Sequence, residues 1–283
     1  MDAIQTPAGQ TVTGQDAVLL GMVQGLTEYL PVSSSGHLTL AQHLIGLQEP
    51  VILFDIVLHL GTLAAVAWFY RASLVDTVRQ TIEGAAAVRS GSTIAQAMEK
   101  SEGFRMTALV FLAMIPTGVV GLTMKKWFEA MFEAPALVGV ALLVTATFLF
   151  LTRYARAKGT GLMEMSVAAA LVVGMAQGLA VAPGISRSGA TIAAAMFMGV
   201  ERETAARFSF ILSIPAVLAA LTLKLREDTG SVPLPSMGIG FAVSAVVGYF
   251  CLALLVYLIR QGKFSWFSYY CAAVGAAAIY HFA

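Results

Sequence analysis

Residues 31–36, PVSSSG, interrupt an apolar stretch that covers residues 16–47. A second apolar stretch, residues 165–200, is interrupted in the same way by PGISRSG at residues 183–189. The arm that follows each interruption has 11 residues, or about 16 Å of helix, which is too short to cross a bilayer. We therefore predict two re-entrant helical hairpins, with a pair of kinked, tilted spanning helices as the alternative.

The composition around these stretches is that of an integral membrane protein. Of the 283 residues, 58% are hydrophobic and 12% are charged, whereas soluble domains contain roughly 25% charged residues. A net charge of +1 provides no basic surface for nucleic acid. We expect one all-α polytopic domain over residues 1–283, in contact with membrane lipids and without a nucleic-acid partner.

Other apolar segments predict about six spanning helices, because each provides roughly the 20 residues that a bilayer requires. They are residues 51–70, 104–124, 135–152, 204–225, 236–259 and 264–282. Residues 72–103 carry mixed charges and form the longest predicted inner loop, either as a surface helix or as a flexible linker.

The distribution of Lys and Arg predicts that both termini lie outside, because basic residues concentrate in inner segments. With that orientation, four basic residues lie outside: Lys125, Lys126, Lys224 and Arg226. Twelve lie inside: Arg71, Arg79, Arg89, Lys100, Arg105, Arg153, Arg156, Lys158, Arg202, Arg207, Arg260 and Lys263.

The chain also contains an internal repeat. The sequence GMVQGL at residues 21–26 recurs as GMAQGL at residues 174–179, an offset of 153 residues. Three predicted crossings separate the two copies, so the second hairpin enters from the opposite side of the membrane. This predicts an inverted-topology repeat, over about residues 16–70 and 165–225, whose hairpin tips meet near the midplane.

The first hairpin carries a carboxylate and an amide on one helix face, since Gln24 and Glu28 are four residues apart. An ionisable side chain inside a membrane segment indicates function by default. Carboxylate and amide oxygens suit Mg²⁺ or Ca²⁺, with substrate phosphate completing the coordination. The alternative is a structural hydrogen bond that closes the hairpin.

In the second hairpin, Arg187 is the only charged residue in the sequence from position 165 to position 200. Its guanidinium can bind phosphate oxygens in a bidentate manner. The backbone N–H groups of residues 186–189, at the start of a helix, can bind an anion as well. The alternative is an internal ion pair with Glu28, which would itself bring the two tips together.

Ser34 and His37 are three residues apart at the start of the second arm, so hydroxyl and imidazole can meet on one face. That pair suits a hydroxyl nucleophile with a general base, although His37 could also attack phosphorus or protonate the leaving group. At least one serine of residues 33–35 is expected to cap the helix instead. Asp55 and His59 are interpreted as a polar pair within a helix, with cavity lining as the alternative.

Two motifs resemble those of the bacterial undecaprenyl-diphosphate phosphatase family of the bacitracin-resistance type. Residues 24–37, QGLTEYLPVSSSGH, resemble its Glu/Gln-x-x-x-Glu signature with the attached serine and histidine run. Residues 183–191, PGISRSGAT, resemble its PGxSRSGxT signature. This chain has Gln24 where the first motif allows Glu or Gln, so this position offers a metal an amide oxygen and not a carboxylate.

The resemblance implies a hydrolase of the bacterial inner membrane that converts undecaprenyl diphosphate to undecaprenyl phosphate and phosphate. This reaction recycles the lipid carrier for peptidoglycan synthesis and confers bacitracin resistance. The site would open to the periplasmic side, and the lipid tail would lie between helices. Whether the protein forms a homo-oligomer is an open question at this point. A polyprenyl-phosphate flippase, or another alternating-access transporter, is the alternative, because such proteins are built from inverted repeats with broken helices.

The resemblance also implies roles for individual residues. Ser34, His37, Glu28 and Arg187 would be catalytic, and Glu28 with Gln24 would hold a divalent metal, Mg²⁺ or Ca²⁺. The phosphate-binding residues would be Arg187, Ser33, Ser35, Ser186, Ser188, Gly189 and Thr191.

Overall fold

The computed structural model describes residues 4–5, 11–45, 52–155, 159–224 and 234–282. Two short antiparallel strands, β1 (Ile4–Gln5) and β2 (Thr11–Val12), precede the helices. The helices are α1 (Gly14–Thr27), α2 (Ser34–Leu44), α3 (Ile52–Phe69), α4 (Arg71–Arg89), α5 (Ile94–Lys100), α6 (Glu102–Thr123), α7 (Lys125–Phe132), α8 (Pro135–Leu151), α9 (Val167–Leu179), α10 (Arg187–Phe197), α11 (Arg202–Lys224), α12 (Leu234–Arg260) and α13 (Phe267–Phe282). The predicted end of the first hairpin at residues 46–47, and Arg156, Lys158 and Arg226, lie outside the described residues.

Four helices of the described chain are long and apolar enough to cross a membrane: α6, α8 with the 3-10 turn that follows it, α11 and α12. A fifth candidate is the pair α3 and α4, which bends by 76° at Tyr70. Helix α13 has 16 residues, fewer than the roughly 20 that a straight crossing needs. The protein is therefore a helical membrane protein with four or five candidate spans among the described residues, and the total of six stays a prediction.

Both predicted interruptions are present as breaks between helices. Helix α1 ends at Thr27 and α2 begins at Ser34, while α9 ends at Leu179 and α10 begins at Arg187. Each second arm has 11 residues. Ser33 and Ser186 cap these second arms, since their hydroxyls accept hydrogen bonds from the backbone N–H groups of Gly36 and Gly189. The expectation that one of the three serines in the first break is a cap is thus confirmed.

The first arm of each hairpin packs closely on a long helix from the other half of the chain. A Cβ on Gly25 of α1 would lie 2.7 Å from the Cβ of Val247 in α12. A Cβ on Gly178, the repeat partner of Gly25, would lie 2.7 Å from the Cβ of Val120 in α6. The repeated glycines therefore mark the positions where the two hairpins are anchored.

The predicted inner loop is helical, because α4 and α5 occupy most of residues 72–103. Of the two alternatives for this region, the structure has the helical one. Helix α4 packs on α6, where a Cβ on Gly84 would lie 2.5 Å from the ring of Phe104.

Candidate active site

The tips of the two hairpins touch. The Arg187 guanidinium, at the start of α10, forms an ion pair and hydrogen bond with the Glu28 carboxylate, which lies directly after α1. A second contact joins the breaks, where the Gly184 N–H donates to Ser33 Oγ at 3.0 Å. The structure thus has the predicted convergence of the hairpins, and it has the internal ion pair that was the alternative to phosphate binding by Arg187.

Glu28 is buried and accepts several hydrogen bonds. Gln24 Nε2 donates to Glu28 Oε2 at 3.0 Å, and Ser34 Oγ donates to the same oxygen at 2.6 Å. His59 Nε2 lies 3.7 Å from it. A carboxylate removed from water needs such partners, because burying an unpaired charge is strongly unfavourable. Gln24 thus forms a structural hydrogen bond of the kind given as the alternative to metal binding, although it joins two residues at the end of the first arm.

The side chains of Ser34 and His37 take different partners, although their spacing predicts that they meet. His37 Nδ1 lies 2.8 Å from the Ser33 carbonyl oxygen, and Nε2 lies 2.9 Å from the Tyr270 hydroxyl. The physical reason is that each side chain has another partner: the His37 ring bonds to the carbonyl four residues before it, and the Ser34 hydroxyl donates to Glu28, an ionised and hence stronger acceptor than imidazole.

Most of the predicted phosphate-binding hydroxyls bind other protein groups. Ser188 Oγ donates to the Leu30 carbonyl at 3.4 Å, and Thr191 Oγ1 lies 2.5 Å from Ser209 Oγ. These two residues are buried, as are Ser33, Ser186 and Gly189. Ser34 and Ser35 are half-buried instead. The buried hydroxyls hold the two breaks in shape, whereas Ser34 and Ser35 keep some exposed surface.

Three residues of the site were missed or underestimated from the sequence. His59 is predicted to pair with Asp55, and its Nδ1 lies 2.7 Å from the Asp55 carbonyl oxygen, but its Nε2 faces Glu28 as well. Tyr270 is 233 residues from its partner His37, and no sequence signal connects them. Thr145 of α8 fixes the second break, since its hydroxyl donates to the Gly184 carbonyl at 2.8 Å and accepts from the Ser186 N–H at 3.1 Å.

Two buried polar atoms at the site lack hydrogen-bond partners among the described residues: Gln24 Oε1 and Arg187 Nη1. An unpaired amide oxygen next to a carboxylate is the kind of oxygen donor that Mg²⁺ and Ca²⁺ prefer. The described residues contain no group of three or more His, Cys, Asp and Glu that could hold a metal ion. Gln24 and Glu28 therefore fit a divalent cation only as a partial ligand set that substrate oxygens complete.

The fold and site define a class: a multi-pass helical membrane protein with one buried, asymmetric, charged site between two broken helical hairpins. An unpaired guanidinium nitrogen and a hydroxyl bonded to a carboxylate give that site the means to bind and attack an anionic group. The chain belongs to the family of the bacitracin resistance protein BacA, whose model matches residues 17–277.

Curated relatives agree with this assignment. The chain is 45% identical to the undecaprenyl-diphosphatase of Desulfatibacillum aliphaticivorans, over 93% of this chain and 97% of the relative. It is 44% identical to the undecaprenyl-diphosphatase of Desulfosudis oleivorans and 42% identical to that of Desulforapulum autotrophicum, in each case over 93% of this chain and 96% of the relative. Family membership and the candidate spans make it a multi-pass protein of the inner membrane.

Proposed function

We propose that the protein is an undecaprenyl-diphosphatase, which hydrolyses undecaprenyl diphosphate to undecaprenyl phosphate and inorganic phosphate. It thereby recycles the lipid carrier for cell-wall synthesis and contributes to bacitracin resistance. The observation that carries the proposal is the contact between Glu28 and Arg187, which unites the two motifs in one site. The names of relatives that are 42–45% identical over nearly the whole chain support the substrate.

In the proposed reaction, Arg187 binds the terminal phosphate through Nη1, the nitrogen that has no partner within the described protein. Ser34 Oγ attacks the terminal phosphorus, and its proton passes to Glu28, to which it already donates. The anhydride bond breaks and undecaprenyl phosphate leaves. Water then cleaves the phosphoserine and releases phosphate. Arg187 lowers the barrier by balancing the charge that develops on the transferred group.

His37 is proposed as a second proton-handling residue, because its two nitrogens are held in a defined orientation by Ser33 and Tyr270. Of the predicted phosphate-binding set, we propose that Arg187 and Ser35 contact phosphate. Ser33, Ser186, Ser188, Gly189 and Thr191 maintain the shape of the breaks.

Glu28 and Gln24 would hold the divalent metal, Mg²⁺ or Ca²⁺. When bound, the metal would neutralise negative charge on the diphosphate oxygens. The unpaired Gln24 Oε1 supports this assignment.

For the topology, we propose about six spanning helices in an inverted repeat, with both termini periplasmic and the site open to the periplasmic side. The reciprocal packing of α1 on α12 and of α9 on α6 supports the repeat. The excess of Lys and Arg in the segments assigned to the inside supports the orientation.

The test is phosphate release from undecaprenyl diphosphate by the purified protein in proteoliposomes. Arg187→Ala should lower kcat/KM by about a thousandfold, in line with the loss of an arginine that stabilises phosphoryl transfer. Arg153→Ala, which removes an arginine stacked on the Phe150 ring away from the site, is the matched control. Full activity of Arg187→Ala would refute the proposal, and movement of lipid without phosphate release would favour the flippase.

A further inference from the structure

An apolar groove lies beside the second hairpin. It has a volume of about 520 Å³ and is formed by α7, α8, α9 and α10. All of its lining side chains are apolar, and they include Trp127, Val144, Phe148, Leu179, Ala194 and Phe197. The groove therefore offers no polar group to a headgroup and suits a hydrocarbon chain.

The groove begins next to the residue assigned to phosphate binding. Ala190 and Ala194 line it, and they follow Arg187 by three and seven residues on α10. Positions i, i+3 and i+7 share one face of a helix, so the α10 wall of the groove continues the row that starts at Arg187. Ile185, two residues before Arg187, also lines the groove. A ligand with its phosphate at Arg187 can thus extend directly into it.

Small side chains leave room for the groove, and half-exposed side chains border it. Alanines at positions 176, 182, 190, 193 and 194 line the groove, whose floor contains the buried residues Ala141, Phe128 and Met131. Val144 and Phe197 are about half exposed, at 51% and 49%. In a bilayer these exposed faces contact lipid, so a chain can enter from the side without crossing a wall of protein.

We propose that this groove binds the polyprenyl chain of the lipid diphosphate, with the first isoprene units next to Arg187. The inference rests on the proposed function and adds the location of the chain-binding site. Close packing of the chain in the groove then contributes to affinity for long-chain substrates, because binding within lipid depends on van der Waals contacts and not on removal of apolar surface from water.

The test compares Ala194→Trp, which fills the groove, with Ile115→Trp on α6. Ile115 is 61% exposed and lies outside the groove, so its replacement adds an indole to another lipid-facing surface. KM and kcat are measured for undecaprenyl diphosphate and for the five-carbon dimethylallyl diphosphate. Ala194→Trp should raise KM for the long substrate by about tenfold and change KM for the short one by less than twofold, whereas Ile115→Trp should change neither.

Equal KM values for Ala194→Trp and Ile115→Trp on the long substrate would overturn the groove assignment and show that membrane lipid fills it. A wild-type protein that releases no phosphate would instead refute the proposed function, so the two failures are distinguishable.

A second measurement does not depend on how the variants fold. A polyprenyl diphosphate with a diazirine on its second isoprene unit is photolysed with the wild-type protein, and adducts are located by mass spectrometry. Adducts on α8 and α10 that unlabelled undecaprenyl diphosphate suppresses would support the proposal. Adducts confined to other helices would overturn it.

Discussion

Glu28 and Arg187 form an ion pair although they are 159 residues apart. Each residue lies at the break of one hairpin, and both side chains are largely withdrawn from solvent, with 6% and 17% of their surface exposed. A pair in such surroundings places opposite charges where each would be strongly unfavourable alone. The contact therefore serves both to join the hairpins and to form the proposed site.

Removal of one charge should destabilise the protein more than removal of both. Glu28→Gln leaves Arg187 without its counter-ion, and breaking a buried pair in this way costs about 3–5 kcal/mol. The double variant Glu28→Gln/Arg187→Gln should recover much of this stability but none of the activity. Unfolding in detergent micelles and phosphate release measure the two quantities. If the double variant loses as much free energy of unfolding as the two single variants lose together, the two charges do not compensate each other.

Substitutions of the adjacent residues Ser34 and Ser33 should affect activity and stability, respectively. Ser34→Ala removes the hydroxyl that donates to Glu28 and should lower kcat by about three orders of magnitude or more, as expected for loss of a nucleophile. Ser33→Ala removes the cap of α2 and the acceptor for the Gly184 N–H. It should lower stability by about 1–2 kcal/mol. If Ser34→Ala keeps wild-type turnover in the phosphate-release assay, Ser34 is not the nucleophile.

Tyr270→Phe should impair turnover through His37. The Ser33 carbonyl can only accept, so His37 Nδ1 carries the proton and Nε2 of the neutral ring accepts from the Tyr270 hydroxyl. Without that hydroxyl, we expect about tenfold lower kcat with little change in KM, and altered ¹⁵N shifts of the His37 ring. Tyr269→Phe, an exposed neighbour, is the control. Identical kcat values for the two variants would exclude a positioning role for Tyr270.

Substitution of Gln24 should change how phosphate release depends on the metal concentration. Chelation with EDTA is expected to abolish phosphate release, and added Mg²⁺ or Ca²⁺ to restore it. Gln24→Glu supplies a second carboxylate and should lower the metal concentration for half-maximal activity, while Gln24→Leu should raise it. The measurement is activity against free metal concentration. Curves that coincide for all three proteins would remove Gln24 from the ligand set.

The backbone features of the site were largely predictable from the sequence. The PVSSSG and PGISRSG segments indicate breaks because they place Pro, Gly and Ser in apolar stretches, and the repeated glycines identify the arms that pack closely. The convergence of the hairpins also follows, because Arg187 requires a counter-ion in an apolar environment and Glu28 is the carboxylate next to the break of the first hairpin.

Side-chain partners were less predictable, because they depend on competition among nearby acceptors and on distant helices. Ser34 donates to Glu28 and not to His37, whose ring bonds to the Ser33 carbonyl, and helical spacing alone contains no information on these competing partners. Tyr270 reaches His37 only because α13 packs on α8 beside the first hairpin. The number of spans stays a prediction, because α3 and α13 have 18 and 16 residues, fewer than the roughly 20 that a straight crossing needs.

The most direct test is an experimental structure with a methylenediphosphonate analogue of a polyprenyl diphosphate, which cannot be hydrolysed. We predict that its terminal phosphonate lies within hydrogen-bond distance of both Arg187 and the Ser34 hydroxyl, with Glu28 next to them. A phosphonate bound elsewhere, or hairpin tips that are separated with Glu28 and Arg187 each facing solvent or lipid, would contradict the single shared site.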